Sequence, residues 1–161
     1  MRQRLWADLV ETPQDLDYVE RFQRLAALNL EMRKDGPTVP ILLRKSILET
    51  GVGNHAAALQ AALDAVALDG GDAEAHHQVG RASLMLALVR AGVVPQTGDG
   101  GGQGTATGLL GQAAGEFRAA AGLVPGDDES LEDAAFLESM LEANDTEAAL
   151  VEAIRASWPS A

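Results

Sequence analysis

Residues 109–125 read LLGQAAGEFRAAAGLVP. Small Ala113, large Phe117 and small Ala120 follow at spacings of four and three, so they share one side of an α-helix. Pro125-Gly126 stops that helix, and Asp127 or Asp128 is placed to cap the next one, to about Ala143. Asn144-Asp145 then makes a turn, and a last helix runs from Thr146 to about Ser157, before Pro159. Upstream the pattern continues. Asp72 caps a helix over Ala73 to about Ala91, and Asn54 caps one over His55–Leu68 that stops at Gly70-Gly71. Pro40 to about Thr50 reads as a helix closed by Gly51-Val52-Gly53. Thr12-Pro13-Gln14-Asp15 has the composition of a helix start, and the run to about Lys34 has helical spacing with a wide apolar face. Tyr18, Phe22, Leu25, Asn29 and Met32 fall on one side, with Leu16, Val19, Ala26 and Leu30 beside them. Asp35-Gly36-Pro37 ends that run, and a short helix is expected around residues 3–10. Gly92 to Gly108 is rich in glycine and poor in apolar residues, and is expected to be a flexible loop.

Composition agrees with an all-α fold. Alanine and leucine, the strongest helix formers, supply most of the apolar content of a chain that is 47% hydrophobic. The absence of cysteine excludes disulfides, thiolate zinc sites and cysteine nucleophiles. No segment reads as a signal peptide or membrane helix, so the expected location is cytoplasmic and no membrane partner is expected. The net charge of −12 is uneven: residues 1–45 carry 8 basic and 7 acidic side chains, and residues 46–161 carry 4 basic and 17 acidic. The acidic part would repel phosphate backbones, so nucleic acid is not expected as a partner.

The helices recur at a fixed step. Ala65-Val66-Ala67-Leu68-Asp69-Gly70 resembles Ala120-Ala121-Gly122-Leu123-Val124-Pro125, and Ala156-Ser157-Trp158-Pro159 closes the last pair in the same way. Pro125 to Pro159 is 34 residues. On these residues the chain resembles the tetratricopeptide repeat family, whose helix–turn–helix unit has that period. Ala113, Phe117 and Ala120 match the small–large–small positions of a second helix, as Ala58, Ala62 and Ala65 do one unit earlier. The family uses that pattern because adjacent helices cross closely at the alanines while the aromatic fills the gap. Val79-Gly80 matches the first-helix motif, whereas His76 and Ser83 stand where the family prefers Trp and Tyr. In the last unit Leu131, Ala134 and Ala135 fit the first helix, and Glu147, Val151 and Ile154 match the second loosely. The resemblance covers about residues 39–161, with the glycine-rich segment as an insertion inside the middle unit. Residues 1–38 read as an added helical pair that caps the open end of the stack.

The resemblance implies a stack of antiparallel helix pairs in a right-handed superhelix, with an inner groove lined by the first helix of each pair. Groove positions would be Leu43 and Ile47, then Glu74, His77, Arg81 and Leu84, then Glu129, Glu132 and Phe136. The carboxylate clamp of one family subset is not supported, because the matching positions hold Leu43, Ile47, His77 and Arg81. The alternative is that the groove positions are ordinary solvated residues, or are covered by the N-terminal helices.

Other constellations read as structural. His76 and His77 are neighbours on a helix and point about 100° apart, so they do not share a metal ion. The segment Gly98–Gly104 lacks the ending of a phosphate-binding loop. Asp127-Asp128-Glu129 lies at a helix start, where acids complement the dipole. Leu150, Ile154 and Trp158 form one stripe, which either packs on the preceding helix or joins a second chain as a homodimer contact. No catalytic residue, metal or cofactor is expected. The expected function is a non-catalytic scaffold or adapter that binds a peptide or helix of a protein partner. The alternative is a small-ligand or regulatory module with Gly92–Gly108 as its lid.

Overall fold

The computed structural model describes residues 5–6, 18–94 and 104–159, with the backbone alone at Tyr18. The described residues form seven helices and no strand: α1 (Tyr18–Asp35), α2 (Val39–Gly51), α3 (His55–Leu68), α4 (Ala73–Arg90), α5 (Ala106–Leu123), α6 (Asp128–Ala143) and α7 (Glu147–Ser157). Leu5 and Trp6 are also helical. The expected starts at Asp72 and Asp127 are real caps, whose carboxylates accept from Ala75 N and Ser130 N. Thr38, Thr105 and Thr146 do the same for α2, α5 and α7. Asn54 departs from expectation, since its side chain makes no capping bond to α3. The expected start at Thr12-Pro13 lies outside the described residues.

Each helix packs against the next, and α2 also meets α4 while α5 meets α7. Consecutive antiparallel hairpins stacked side by side make these contacts. Phe117 holds the α4–α5 crossing together: it is fully buried, and Gly80 on α4 lies so close that a Cβ there would come within 2.7 Å of the ring. Ser46 ties three helices in the same region. Its hydroxyl donates to Ala58 O at 2.7 Å and accepts from Gln78 Nε2 at 3.0 Å.

The structure adds two details to the first half of the chain. The apolar face of α1 is not one continuous buried surface: Leu25 and Leu28 are buried and Met32 partly so, while Val19, Phe22, Ala26 and Leu30 are exposed. A face wider than one neighbour can cover leaves its outer half in solvent. Leu5 and Trp6 enter the main core beside Leu84, Leu137 and Ile154, well along the chain from α1.

The expected loop is also shorter than Gly92–Gly108, because α5 begins at Ala106. Thr105 caps it, and Ala106, Leu109 and Leu110 are buried. The rest of its first turn is satisfied from α7. Glu147 accepts from Ala106 N at 2.6 Å, Thr107 N at 3.0 Å and Thr107 Oγ1 at 2.5 Å. Burial raises the Glu147 pKa, yet the bonds from Thr107 and Ala106 outweigh it and hold the carboxyl below its usual value. At the other end of α7, Arg155 Nε donates to Ala91 O at 2.7 Å, just past the end of α4. Arg90 Nε donates to Gly104 O at 3.1 Å, so the two ends of the glycine-rich segment are also joined directly.

Candidate partner-binding surface

The two adjacent histidines of α4 face different surroundings. His76 points toward α5: its Nδ1 lies 2.6 Å from Glu116 Oε2 and its Nε2 2.8 Å from Gly70 O. Two acceptors favour the doubly protonated ring, and the hydrogen bond to Glu116 raises the His76 pKa above its ordinary value. This histidine is a polar bridge between helices. His77 instead leans on the Phe117 ring, with centroids 5.3 Å apart. Burial, and then the positive charge of Arg81, lower its pKa, while Asp127, Glu129 and Glu74 pull it upward. His77 therefore sits where the N-terminal part of α4 meets the start of α6, with Glu74, Arg81, Asp127 and Glu129 close enough to act on its charge.

This rim contains part of the groove expected from sequence. Glu74, Glu129 and Glu132 are exposed, and His77 and Arg81 are half-buried. Four other expected positions are different in kind. Leu43 and Leu84 are buried core residues, with exposures of 7% and 0%, and are closed to a partner. Each packs against helices of its own chain. Ile47 is exposed, and it lines a cleft of about 430 Å³ with Arg24, Leu28 and Arg44, between α1 and α2. Phe136 is covered from within the chain. Trp6 meets its ring edge-on at 5.5 Å, and Trp6 Nε1 donates to Ser157 Oγ at 3.0 Å.

The stripe offered as an oligomer contact is likewise internal. Leu150 and Ile154 are fully buried, and Trp158 is half-buried with its ring 5.9 Å from Trp6. Trp6 supplies the cover that a second chain would have given. Nothing local in the sequence announces this pairing, because the two tryptophans are joined only by the folded chain.

A second surface was not anticipated. Where α1, α2 and α3 meet, a cleft of about 480 Å³ is lined by Arg33, Lys45, Asn29, Gln60 and Asp64, with Met32 and Leu42 among its apolar residues. The excess of basic side chains before residue 46 was the one signal pointing there.

Among the described residues no three histidine, aspartate or glutamate side chains gather to hold a metal ion. None of the described helices is long and apolar enough to cross a membrane. The lid of the alternative reading falls largely on residues 95–103, outside the described residues. No protein-family model matches this sequence, and no curated protein matches it significantly.

Proposed function

We propose that this chain is a non-catalytic adapter that holds a segment of a partner protein in the cytoplasm, in the manner of a tetratricopeptide-like scaffold. The observation that carries the reading is the rim around His77, where Glu74, Arg81, Asp127 and Glu129 converge from two helices beside a half-buried ring. Such a rim offers charge for orientation and a half-buried imidazole for contact. Its carboxylates outnumber its one guanidinium, so it suits a partner segment that carries basic side chains. A stack of hairpins supports the reading by presenting residues of alternate helices on one side.

The test is charge reversal on the exposed part of the rim. Glu74→Lys with Glu129→Lys and Glu132→Lys should keep the helical content, with an unfolding temperature somewhat lowered because Glu74 and Glu129 stand in the first turns of their helices. The same variant should lose partners that the unaltered chain retains in affinity capture with quantitative mass spectrometry. Undiminished retention would exclude this rim as the binding surface. An enzymatic turnover abolished by one substitution would overturn the adapter reading itself.

A further inference from the structure

The cleft between α1, α2 and α3 joins unpaired positive charge to an apolar lining. Ala57 and Ala61 lie one turn apart on α3, and side chains that small leave room between the helices. The space of about 480 Å³ falls within the range of about 300–1,000 Å³ that small-molecule sites occupy. Leu42 and Ala61 are buried, and Met32 and Ala57 are half-buried. An apolar body laid over them leaves water, and the flexible Met32 can adapt to its shape.

The charges of the lining say which occupant fits. The chain has 24 acidic residues, yet among the described residues none forms an ion pair with Arg33 or Lys45. Asp64 also lines the cleft, and its carboxylate accepts from Gln60 Nε2 at 2.9 Å. Glu49, one turn along α2, feels the charge of Lys45 without lining the cleft. Arg33 and Lys45 against Asp64 leave the lining with one positive charge in excess. We propose that this cleft binds a small amphipathic monoanion, its carboxylate held by Arg33 and Lys45 and its aliphatic body lying over Leu42, Ala57 and Ala61. The guanidinium fork matches a carboxylate, and Lys45 adds a second donor. The α3 lining runs from Ala57 to Asp64, about 10 Å at ~1.5 Å per residue, which suits a chain of about eight carbons. A dianion, or a segment carrying several acids, would bring its further charge against Asp64. The cleft lies apart from the rim on α4 and α6 and does not depend on that rim binding a partner.

Octanoate is the probe, titrated into the isotope-labelled full chain and followed by amide NMR. It should cause saturable shifts centred on Met32, Arg33, Ala57 and Ala61. Octanol keeps the body without the charge and should bind about tenfold more weakly, the worth of one charged hydrogen bond. Acetate keeps the charge without the body and should cause no saturable shift at the same concentrations. Arg33→Gln with Lys45→Gln should lower octanoate to the affinity of octanol at unchanged helicity, since Arg33 is exposed and Lys45 half-buried. Asp64→Asn removes the opposing charge and should tighten octanoate about two- to fivefold, a gain that a damaged fold would not give. Octanoate shifts that do not saturate, or that centre elsewhere on the chain, overturn the proposal. So does octanol binding as tightly as octanoate, or undiminished octanoate binding by the double variant. A glutamate-rich peptide that shifts the same amides more strongly than octanoate would give the cleft to a peptide instead, and refute the small-molecule site.

Discussion

Replacing Gly80 by alanine should destabilise this protein, against the usual benefit of removing a glycine from a helix. That benefit is about 1 kcal/mol at an unhindered interior position. At Gly80 the new Cβ would meet Phe117 Cε1 at 2.7 Å, Cδ1 at 2.9 Å and Cζ at 3.1 Å, where ordinary contact begins near 3.4 Å. Helix or ring must give way by several tenths of an ångström. The ring has little freedom to do so, being fully buried with His77 tilted against it. Overpacking of this kind costs about 1–3 kcal/mol, which leaves a net loss of up to about 2 kcal/mol after the propensity gain. Gly111 and Gly115 on α5 are the internal controls: both are exposed, and a Cβ on either meets nothing within 4 Å. Gly111→Ala and Gly115→Ala should each stabilise by about 0.5–1 kcal/mol. The assay is urea unfolding followed by circular dichroism, run on each variant and on Gly80→Ala combined with Phe117→Leu. The smaller side chain removes the collision, so the pair should show a favourable coupling of about 1 kcal/mol. If Gly80→Ala stabilises as much as Gly111→Ala, or if no coupling appears, the close crossing is not what holds α4 to α5.

Further outcomes follow from the same contacts. Trp6→Ala should cost about 3–5 kcal/mol in chemical denaturation and shift the emission of Trp158, then the sole tryptophan, toward that of an exposed indole. The two histidines should respond to pH in opposite senses. His76, raised when folded, adds stability that is full below its unfolded value near 6.5 and lost as pH rises through the folded value. His77, lowered when folded, adds stability present above that same value and lost as pH falls through the folded one. Proton NMR of the rings should place the two titrations on either side of 6.5, and a reversed order would contradict the assigned contacts. Glu147→Gln should cost about 0.5–1 kcal/mol, the worth of an exposed cap, and raise hydrogen exchange at Ala106 and Thr107. In the unaltered protein this contribution should fade as pH falls through the lowered carboxyl pKa, below 4.5.

Features set by neighbours in sequence were legible, and features set across the fold were not. The bounds His55–Leu68 follow from a turn on either side and match residue for residue. The aromatic expected to fill the gap between helices, Phe117, is buried there, and the close approach is made by Gly80 against its ring. Leu84 was misplaced because periodicity assigns a side of a helix without saying which neighbour fills it. Trp6 was missed as a core residue because its partners, Phe136 and Trp158, lie at least 130 positions away. The start of α5 was missed because glycine at 104 and 108 reads as loop, whereas the carboxylate that stabilises its first turn belongs to Glu147.

The bonds made by α7 have a consequence for the chain that joins α4 to α5. Arg155 grips one side of that junction and Glu147 the other, so the last helix spans the mouth of the insertion like a bar across a gate. The separation of the two anchor points is then fixed by α7 together with the Arg90–Gly104 bond, whatever runs between them. Lengthening or shortening the stretch between Pro95 and Gln103 should leave the stack intact, whereas truncation before Glu147 should remove both of these bonds and leave only the Arg90–Gly104 bond to join the two ends. The glycine-rich stretch is thus a natural place to splice in a tag or a reporter, and the C-terminal helix is the part that must not be trimmed.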